Sequence, residues 1–409
     1  MNKNNPSFNP TPMLLAMMII ATGQVGVSIY LPSLPLMSDS LVVSSTDIQL
    51  VVTLFLIGFG GSQLFYGPLS DAIGRRPVFF IGQGIYILGT LVCLTLADSY
   101  LALVVGRLLQ GLGAGSASVL GRTVLRDSYD GAQLTKALSY ISVTASIIPI
   151  VAPVLGGWLA FEFGWQSVFA AVLVYLAVII GLGWRVLPET LPYAKKRFKP
   201  GTVAVNYAKL MVNWQVIQSA SYNWITFSGA VVTLSLLPFL MQTVHGMTVA
   251  QYGSVMLIPS LGLLAGTIAL NVLNRHLSSQ YLLALAMGIV SIAGVWLLAS
   301  TPSAHSLVIA FTGFAFAQGL SFPISISLLL TPHKQQAGAV SALSGSVQMI
   351  LAGLMAAVLV EVWVVDQASL GRFYLVCAGL MLFFLSSRVL YQFILGGEEK
   401  LDDYNNEHI

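Results

Sequence analysis

Charged side chains make up only 8% of this 409-residue chain, against about 25% of an ordinary soluble domain, and that shortage excludes a water-soluble globular protein. The formal net charge of +3 leaves no basic surface for a nucleic-acid partner. Cysteine is almost missing too. Cys93 and Cys377 both lie inside apolar stretches, where a small buried thiol is expected and a disulfide framework is excluded. His245, His276, His305, His333 and His408 fall in or near loops with no zinc-spaced partner, so no metal site is expected. There is no G-x-x-x-x-G-K-[ST] loop for ATP phosphates and no nucleophile elbow. A primary pump and a membrane enzyme are therefore set aside, and no cofactor is expected. Energy must come from an ion gradient or from the membrane potential, which is worth about 2.3 kcal/mol per charge per 100 mV.

The chain is instead rich in hydrocarbon, 56% hydrophobic by residue. With about 20 apolar residues per bilayer crossing, spans are predicted near 12–36, 47–69, 78–97, 100–122, 138–161, 165–187, 215–240, 248–272, 281–300, 304–329, 338–363 and 370–394. This is an all-α membrane protein of twelve transmembrane helices. The apolar run behind MNKNNPSFNPTP is too long and lacks a small-residue cleavage site, which predicts a retained first span and no cleavable signal. If the N-terminus is cytoplasmic, every Lys and Arg except Arg107 and Arg372 falls at the cytoplasmic side, while Asp39, Asp47, Asp98, Glu162 and Asp366 fall opposite. The positive-inside rule then puts both termini in the cytoplasm.

The polar stretch 188–213 separates six spans from six. The expected organisation is an N-terminal half over 1–187, a cytoplasmic linker over 188–213, a C-terminal half over 214–395 and a disordered acidic tail over 396–409. The linker's simplest role is topological. Val203, Val205, Tyr207, Leu210 and Met211 interleave with basic residues, so a surface helix on anionic headgroups is the second reading. A faint similarity between the segments starting at 136 and 336 fits two pseudo-symmetric halves.

Between the second and third spans, residues 67–77 read GPLSDAIGRRP. Glycines permit a tight turn, and a loop this short puts Asp71, Arg75 and Arg76 at a hairpin tip. Asp71 can sit against the positive end of a helix from the other half, making the tip a conformational latch. Arg76, and to a lesser degree Arg75, could instead only enforce topology. GRTVLRD at 121–127 places Arg122 and Asp127 where they would join Asp71 and Arg75 in a charge network. Arg107 and Gln110 lie deeper in the fourth span. An arginine at depth costs about 2.5–3.5 kcal/mol to insert and is by default functional; the alternative is a brace bonded to backbone carbonyls. Pro149, Pro153, Gly156 and Gly157 bend the fifth span and let a neighbour approach closely.

These residues carry a family resemblance. Gly67, Asp71, Gly74, Arg75 and Arg76 match Gly-x-x-x-Asp-x-x-Gly-Arg-Arg/Lys, the loop between helices two and three of the major facilitator superfamily. The resemblance implies that Asp71 meets the eleventh helix, here beginning near Gly338. Arg107, Gln110, Gly111 and Gly113 fit a second family pattern, Arg-x-x-Gln-Gly. The prolines and glycines of span five resemble the superfamily's antiporter motif, with Ala152 where a glycine usually precedes the proline. SIYLPSLP at 28–35, SQLFYGPLSD at 62–71 and LPET at 187–190 narrow the resemblance to drug:proton antiporters of the bicyclomycin-resistance and multidrug-resistance-protein-D group. That resemblance implies a monomer in a bacterial inner membrane, exporting hydrophobic or amphipathic small-molecule drugs in exchange for protons by alternating access. Export of a single metabolite by the same fold is the alternative.

Drug antiporters of this kind often carry a helix-one carboxylate. Here the mid-membrane polar residue is Gln24, which does not titrate, and all fifteen acids lie in loops, at helix ends or in the tail. Proton coupling is accordingly expected at Asp71 or Asp127, with Arg107 modulating the field. The expected cavity wall comprises Gln24 and Tyr30 from span one; Tyr222, Trp224 and Phe227 from span seven; Tyr252 and Met256 from span eight; and Phe314 and Gln318 from span ten. Soft, aromatic and Met-rich walls repack around varied ligands, although each of these side chains could equally be packing.

Overall fold

In hydrocarbon every backbone polar group must find its partner within the protein, which leaves helices as the economical answer for apolar runs of this length. The computed structural model describes residues 10–191, 200–333 and 336–407, so Lys3, Lys195, Lys196, Arg197, Lys199 and Lys334 of the charge-sidedness argument lie outside the described residues. The first half contains α1 (Thr11–Ser28), α2 (Leu34–Leu41), α3 (Leu50–Ile73), α4 (Arg75–Thr95), α5 (Tyr100–Ser128), α6 (Gly131–Phe163) and α7 (Gln166–Val186). A linker helix, α8 (Pro200–Met211), precedes α9 (Trp214–Phe239), α10 (Val249–Val255), α11 (Leu257–Leu273), α12 (Ser279–Ala299), α13 (Ala304–Leu330), α14 (Ala337–Val362) and α15 (Gln367–Glu407).

Proline sets the breaks. The first span runs on to Leu41, longer than expected, but changes to a tighter turn over Leu31–Ser33 around Pro32. The eighth breaks at Met256, where Pro259 leaves the Val255 carbonyl without its helical donor. Eleven segments among the described residues are long and apolar enough to cross a membrane. The twelfth expected span lies in α6, whose 33 residues reach about 50 Å and which among the described residues contains the apolar stretch Ile147–Phe163. Residues 396–407 continue α15 as helix, although Gly396 and Gly397 at the start of that run are poor helix formers.

Several starts are capped by side chains: Ser99 for α5, Asn213 for α9, a Thr248–Gln251 capping box for α10 and Ser303 for α13. Helix α5 is the hub of the first half, packing on α1, α3, α4 and α6, while α9 and α13 organise the second. Close approach depends on small residues. A Cβ on Gly58 would stand 2.6 Å from the Leu108 carbonyl, and one on Gly262 would stand 2.8 Å from that of Thr312. The halves meet along two lines, α3 against α14 and α6 against α10 and α11.

Candidate functional site

The hairpin at 67–77 is tighter than the sequence suggests. Helix α3 runs to Ile73, α4 begins at Arg75, and Gly74 alone makes the turn at φ 112°, ψ 159°, a backbone region closed to side chains. Gly67 is not a turn residue. It lies inside α3, where a Cβ would make only an ordinary 3.9 Å contact with Val119.

Arg75 is 4% exposed and binds three elements together. Its Nη1 donates to Asp71 Oδ1 at 2.6 Å and to Ser70 Oγ at 2.5 Å on α3, and its Nε donates to Asp127 Oδ2 at 3.0 Å at the end of α5. Part-burial lifts such a network above the ~0–1 kcal/mol of an exposed pair. Arg122 does not join it, because five residues turn α5 by about 140° away from Asp127. Its Nη1 instead reaches Ser341 Oγ at 3.4 Å, in the first turns of α14. Arg122 thereby reaches across to the other half. Arg76 also leaves the latch: it donates from Nη2 to the Trp184 carbonyl at 3.0 Å and lies 5.8 Å from the Phe80 ring, closing an orphan carbonyl at the end of α7.

One acid was missed. Glu189 accepts from the backbone N–H of Arg75 at 2.8 Å and of Arg76 at 3.4 Å. Helix α4 has no side-chain cap of its own, so a carboxylate 114 residues downstream caps it and complements its dipole. Gly74 is needed for this as well, since a Cβ there would collide with the Glu189 carboxylate. Thr190 adds a 3.5 Å bond to Asp127. The signal was present in LPET, but nothing local ties that segment to α4.

Deep in the first half, Arg107 is 2% exposed and donates a hydrogen bond from each of its three guanidinium nitrogens. It donates to the Gly26 carbonyl (3.0 Å), the Val51 carbonyl (3.2 Å) and Gln110 Oε1 (2.7 Å), and Gln110 donates on to Thr90 Oγ1 (2.8 Å). Its guanidinium sits 3.7 Å from the Tyr30 ring centroid and 4.2 Å from that of Phe55, favourable cation–π positions. Among the described residues no carboxylate forms an ion pair with it. This is the geometry of a brace across α1, α3 and α5.

Helix α6, with Pro149 and Pro153 inside it, forms a seam. A Cβ on Gly156 would overlap the Ile29 carbonyl of the same half, whereas one on Gly157 would lie 2.7 Å from the Val249 carbonyl of the other half. Gly253 faces the Pro153 carbonyl just as closely at 2.7 Å, and Ser260 Oγ donates to the Pro149 carbonyl at 3.4 Å. At this same end Gln49 Nε2 donates to the Ser235 carbonyl at 2.9 Å, and Gln242 Nε2 to the Pro32 carbonyl at 2.8 Å.

The expected cavity residues are not gathered into one wall. Trp224 donates to the Ser344 carbonyl at 3.0 Å within an apolar cluster containing Leu210, Leu329 and Leu343. Phe314 stacks on Tyr374 at 4.5 Å and fills the space left by Gly229. Tyr30 is committed to Arg107, and Tyr222, Tyr252 and Met256 are buried in the main core. In this structure these rings fill helix interfaces. Gln24 and Phe227 stay half-buried, and Gln318 is buried at 9% exposure. Sequence reading passed over Asn223, whose Nδ2 donates to Gln348 Oε1 at 2.7 Å between α9 and α14, and whose Oδ1 has no partner among the described residues. Two mid-span carboxamides were the available signal.

Comparison with known proteins agrees with this architecture. The profile described as Major Facilitator Superfamily matches residues 14–357. Multidrug resistance protein D of Escherichia coli K12 is 28% identical over 373 residues, 89% of this chain and 92% of that protein. The uncharacterized MFS-type transporter YdgK of Bacillus subtilis 168 is 29% identical, covering 84% of this chain and 86% of its own. Multidrug resistance protein MdtL of E. coli K12 is 27% identical, covering 91% and 92%. Among solved structures, the human organic anion transporter MFSD10 (TETRAN) superposes with a TM-score of 0.67 at 16% identity, over 93% of this chain and 99% of that one, a likeness of fold. A polytopic all-helical bundle of two packed halves, with that profile over most of its length, is a transporter and not an enzyme: the chain belongs to the major facilitator superfamily.

Proposed function

We propose that this protein is a secondary active multidrug exporter of a bacterial inner membrane, working as a monomer and exchanging hydrophobic or amphipathic drugs for protons by alternating access. The observation that carries the proposal is the contrast between the two ends of the inter-half contact. One end closes by glycine-to-backbone packing, Gly157 on Val249 and Gly253 on Pro153. The other is built of charge, with Asp71, Arg75, Asp127 and Glu189 joined around one turn and Arg122 reaching Ser341. A close-packed uncharged seam and a charged latch suit two halves that rock. The names of the multidrug-resistance relatives favour drugs as cargo. The charged end faces the cytoplasm, with Arg75, Arg76, Arg122, Arg126, Arg185 and Lys209 on that side.

In this reading Asp71 and Asp127 are the proton carriers, because they are the acids whose titration changes the pairing of Arg75. Gln24, Phe227 and Gln318 remain the cargo-facing candidates. The Asn223–Gln348 pair, with its buried unpartnered acceptor, favours a second reading, export of one polar metabolite. Proton release from inverted vesicles on adding unrelated neutral and cationic drugs, followed with a pH-gradient dye, separates the two. Release by several drugs in the wild type and by none in Asp71→Asn is expected. Release by a single polar compound would select the second reading.

A further inference from the structure

The linker helix α8 does more than connect the halves. Its protein-facing positions Val203, Asn206, Tyr207 and Leu210 recur at helical spacing, and Leu210 is buried in a cluster with Val216, Val340 and Leu343, against which Leu64 of the first half also packs. Helix α8 lies against α9 and α14 and so belongs to the second half. Its Tyr207 hydroxyl nevertheless donates across to the Leu64 carbonyl of α3 at 3.3 Å. That carbonyl has a specific need. Pro68, four residues on and inside α3, has no N–H to give the helical i→i−4 bond, and an unpaired carbonyl in an apolar setting is costly. Burial pushes the Tyr207 hydroxyl above its ordinary value, so it remains a protonated donor throughout the physiological range.

We propose that α8 is a strap that holds the cytoplasmic gate closed, fastened where Tyr207 supplies the hydrogen bond that Pro68 denies to Leu64. The strap rests on the reading that the two halves rock. When α3 swings from α14 the bond breaks, and water in the opened vestibule takes over as donor to Leu64. The linker thereby biases which face is open without touching the cargo.

The test uses full-length protein in liposomes, with Cys93 and Cys377 replaced by serine and nitroxides at Phe65 on α3 and Gly338 on α14. Phe65 is exposed and Gly338 has open space around it, so the labels leave the packing intact. Distances between them report the gate. Tyr207→Phe keeps the ring and removes the donor, and should raise the open-to-closed ratio roughly fivefold, which at 1.4 kcal/mol per decade corresponds to about 1 kcal/mol. Pro68→Ala returns a backbone donor to Leu64, so adding Tyr207→Phe to Pro68→Ala should change the ratio less than about twofold, because no carbonyl is then left unpaired. An unchanged distribution in Tyr207→Phe, or an equal response in both backgrounds, overturns the strap. The measurement needs no drug and no gradient. Drug-driven proton release with an unmoved gate in Tyr207→Phe defeats the strap alone, whereas a responsive gate without drug-driven release defeats the drug reading alone.

Discussion

Gly156 and Gly157 are neighbours on α6, yet alanine at the two should have different consequences. At Gly157 the new methyl would stand 2.7 Å from the Val249 carbonyl and 3.2 Å from Gly253 Cα, where an ordinary contact needs about 3.4 Å or more, so the seam must spread by several tenths of an ångström. Overpacking of this kind costs about 1–3 kcal/mol. Because Val249 and Gly253 belong to the other half, that cost falls on one conformation, the one with the seam closed. It should therefore shift the equilibrium toward the outward-open state by about fivefold to 150-fold. At Gly156 the methyl would overlap the Ile29 carbonyl of its own half, and the cost falls on every folded conformation. Spin labels at Phe161 on α6 and Ser254 on α10, both exposed, read the seam. Gly157→Ala should populate longer distances at nearly unchanged melting temperature, while Gly156→Ala should melt earlier with the wild-type distances. Identical behaviour of the two would refute the assignment of Gly157 to a moving interface.

Arg107 should behave as a brace: Arg107→Lys keeps a charge but loses the fork that reaches Gly26, Val51 and Gln110 together, so melting temperature and transport should fall together in both Arg107→Lys and Arg107→Ala. Normal melting with abolished proton release would instead give Arg107 a coupling role. Glu189→Ala should loosen the start of α4 by about 1 kcal/mol after allowance for exposure, whereas Glu189→Gln keeps one acceptor and should lose less; hydrogen exchange at the Arg75 and Arg76 amides reads the difference, and equal protection in both variants would count against the cap. Asp366 lies outside the spans and accepts from the Ser369 amide and hydroxyl at 2.7 Å, bonds that hold its carboxyl below the ordinary aspartate value. A lowered folded-state pKa means the stabilisation is complete above about pH 4, the unfolded value, and fades as pH falls through the folded one. Asp366→Ala should accordingly melt below wild type at pH 7 by an amount worth about 0.5–1 kcal/mol, and the gap should narrow as pH falls below the ordinary aspartate value; a gap independent of pH would contradict the linkage.

The spans were legible because bilayer thickness imposes a length on apolar runs, whereas the breaks near Pro32 and Pro259 were not marked in the span assignment, although proline's missing donor accounts for them. The charged turn was legible from its glycines and charges between two apolar runs, although Asp71 lies in the last turn of α3 and Arg75 opens α4 across Gly74 alone. What escaped depends on how helices rotate and on which distant segments meet. Arg122 and Asp127 look like one cluster in sequence but point to different neighbours. Glu189 reaches Arg75 across 114 residues, a pairing no local pattern encodes. Trp224 and Phe314 have the composition of a binding wall, and only Ser344 and Tyr374 beside them reveal packing.

The position of the acids bears on how a proton could drive the cycle. Among the described residues no carboxylate stands in the middle of a span, and Asp71, Asp127 and Glu189 gather around the single turn at Gly74. Protonating Asp71 or Asp127 would weaken its charged pairing with the nearly buried Arg75 guanidinium. In the proposed cycle that weakening acts on the packing of α3, α4 and α5 at the gate and not on cargo directly. Proton and drug would then compete for a conformation and not for a shared carboxylate, and the affinity for a neutral drug would depend on pH as strongly as that for a cationic one. Drug affinities measured at two pH values test this coupling without mutation. A pH effect confined to cations would place the exchange in the cavity, whereas an equal effect on neutral drugs would place it at the turn around Gly74.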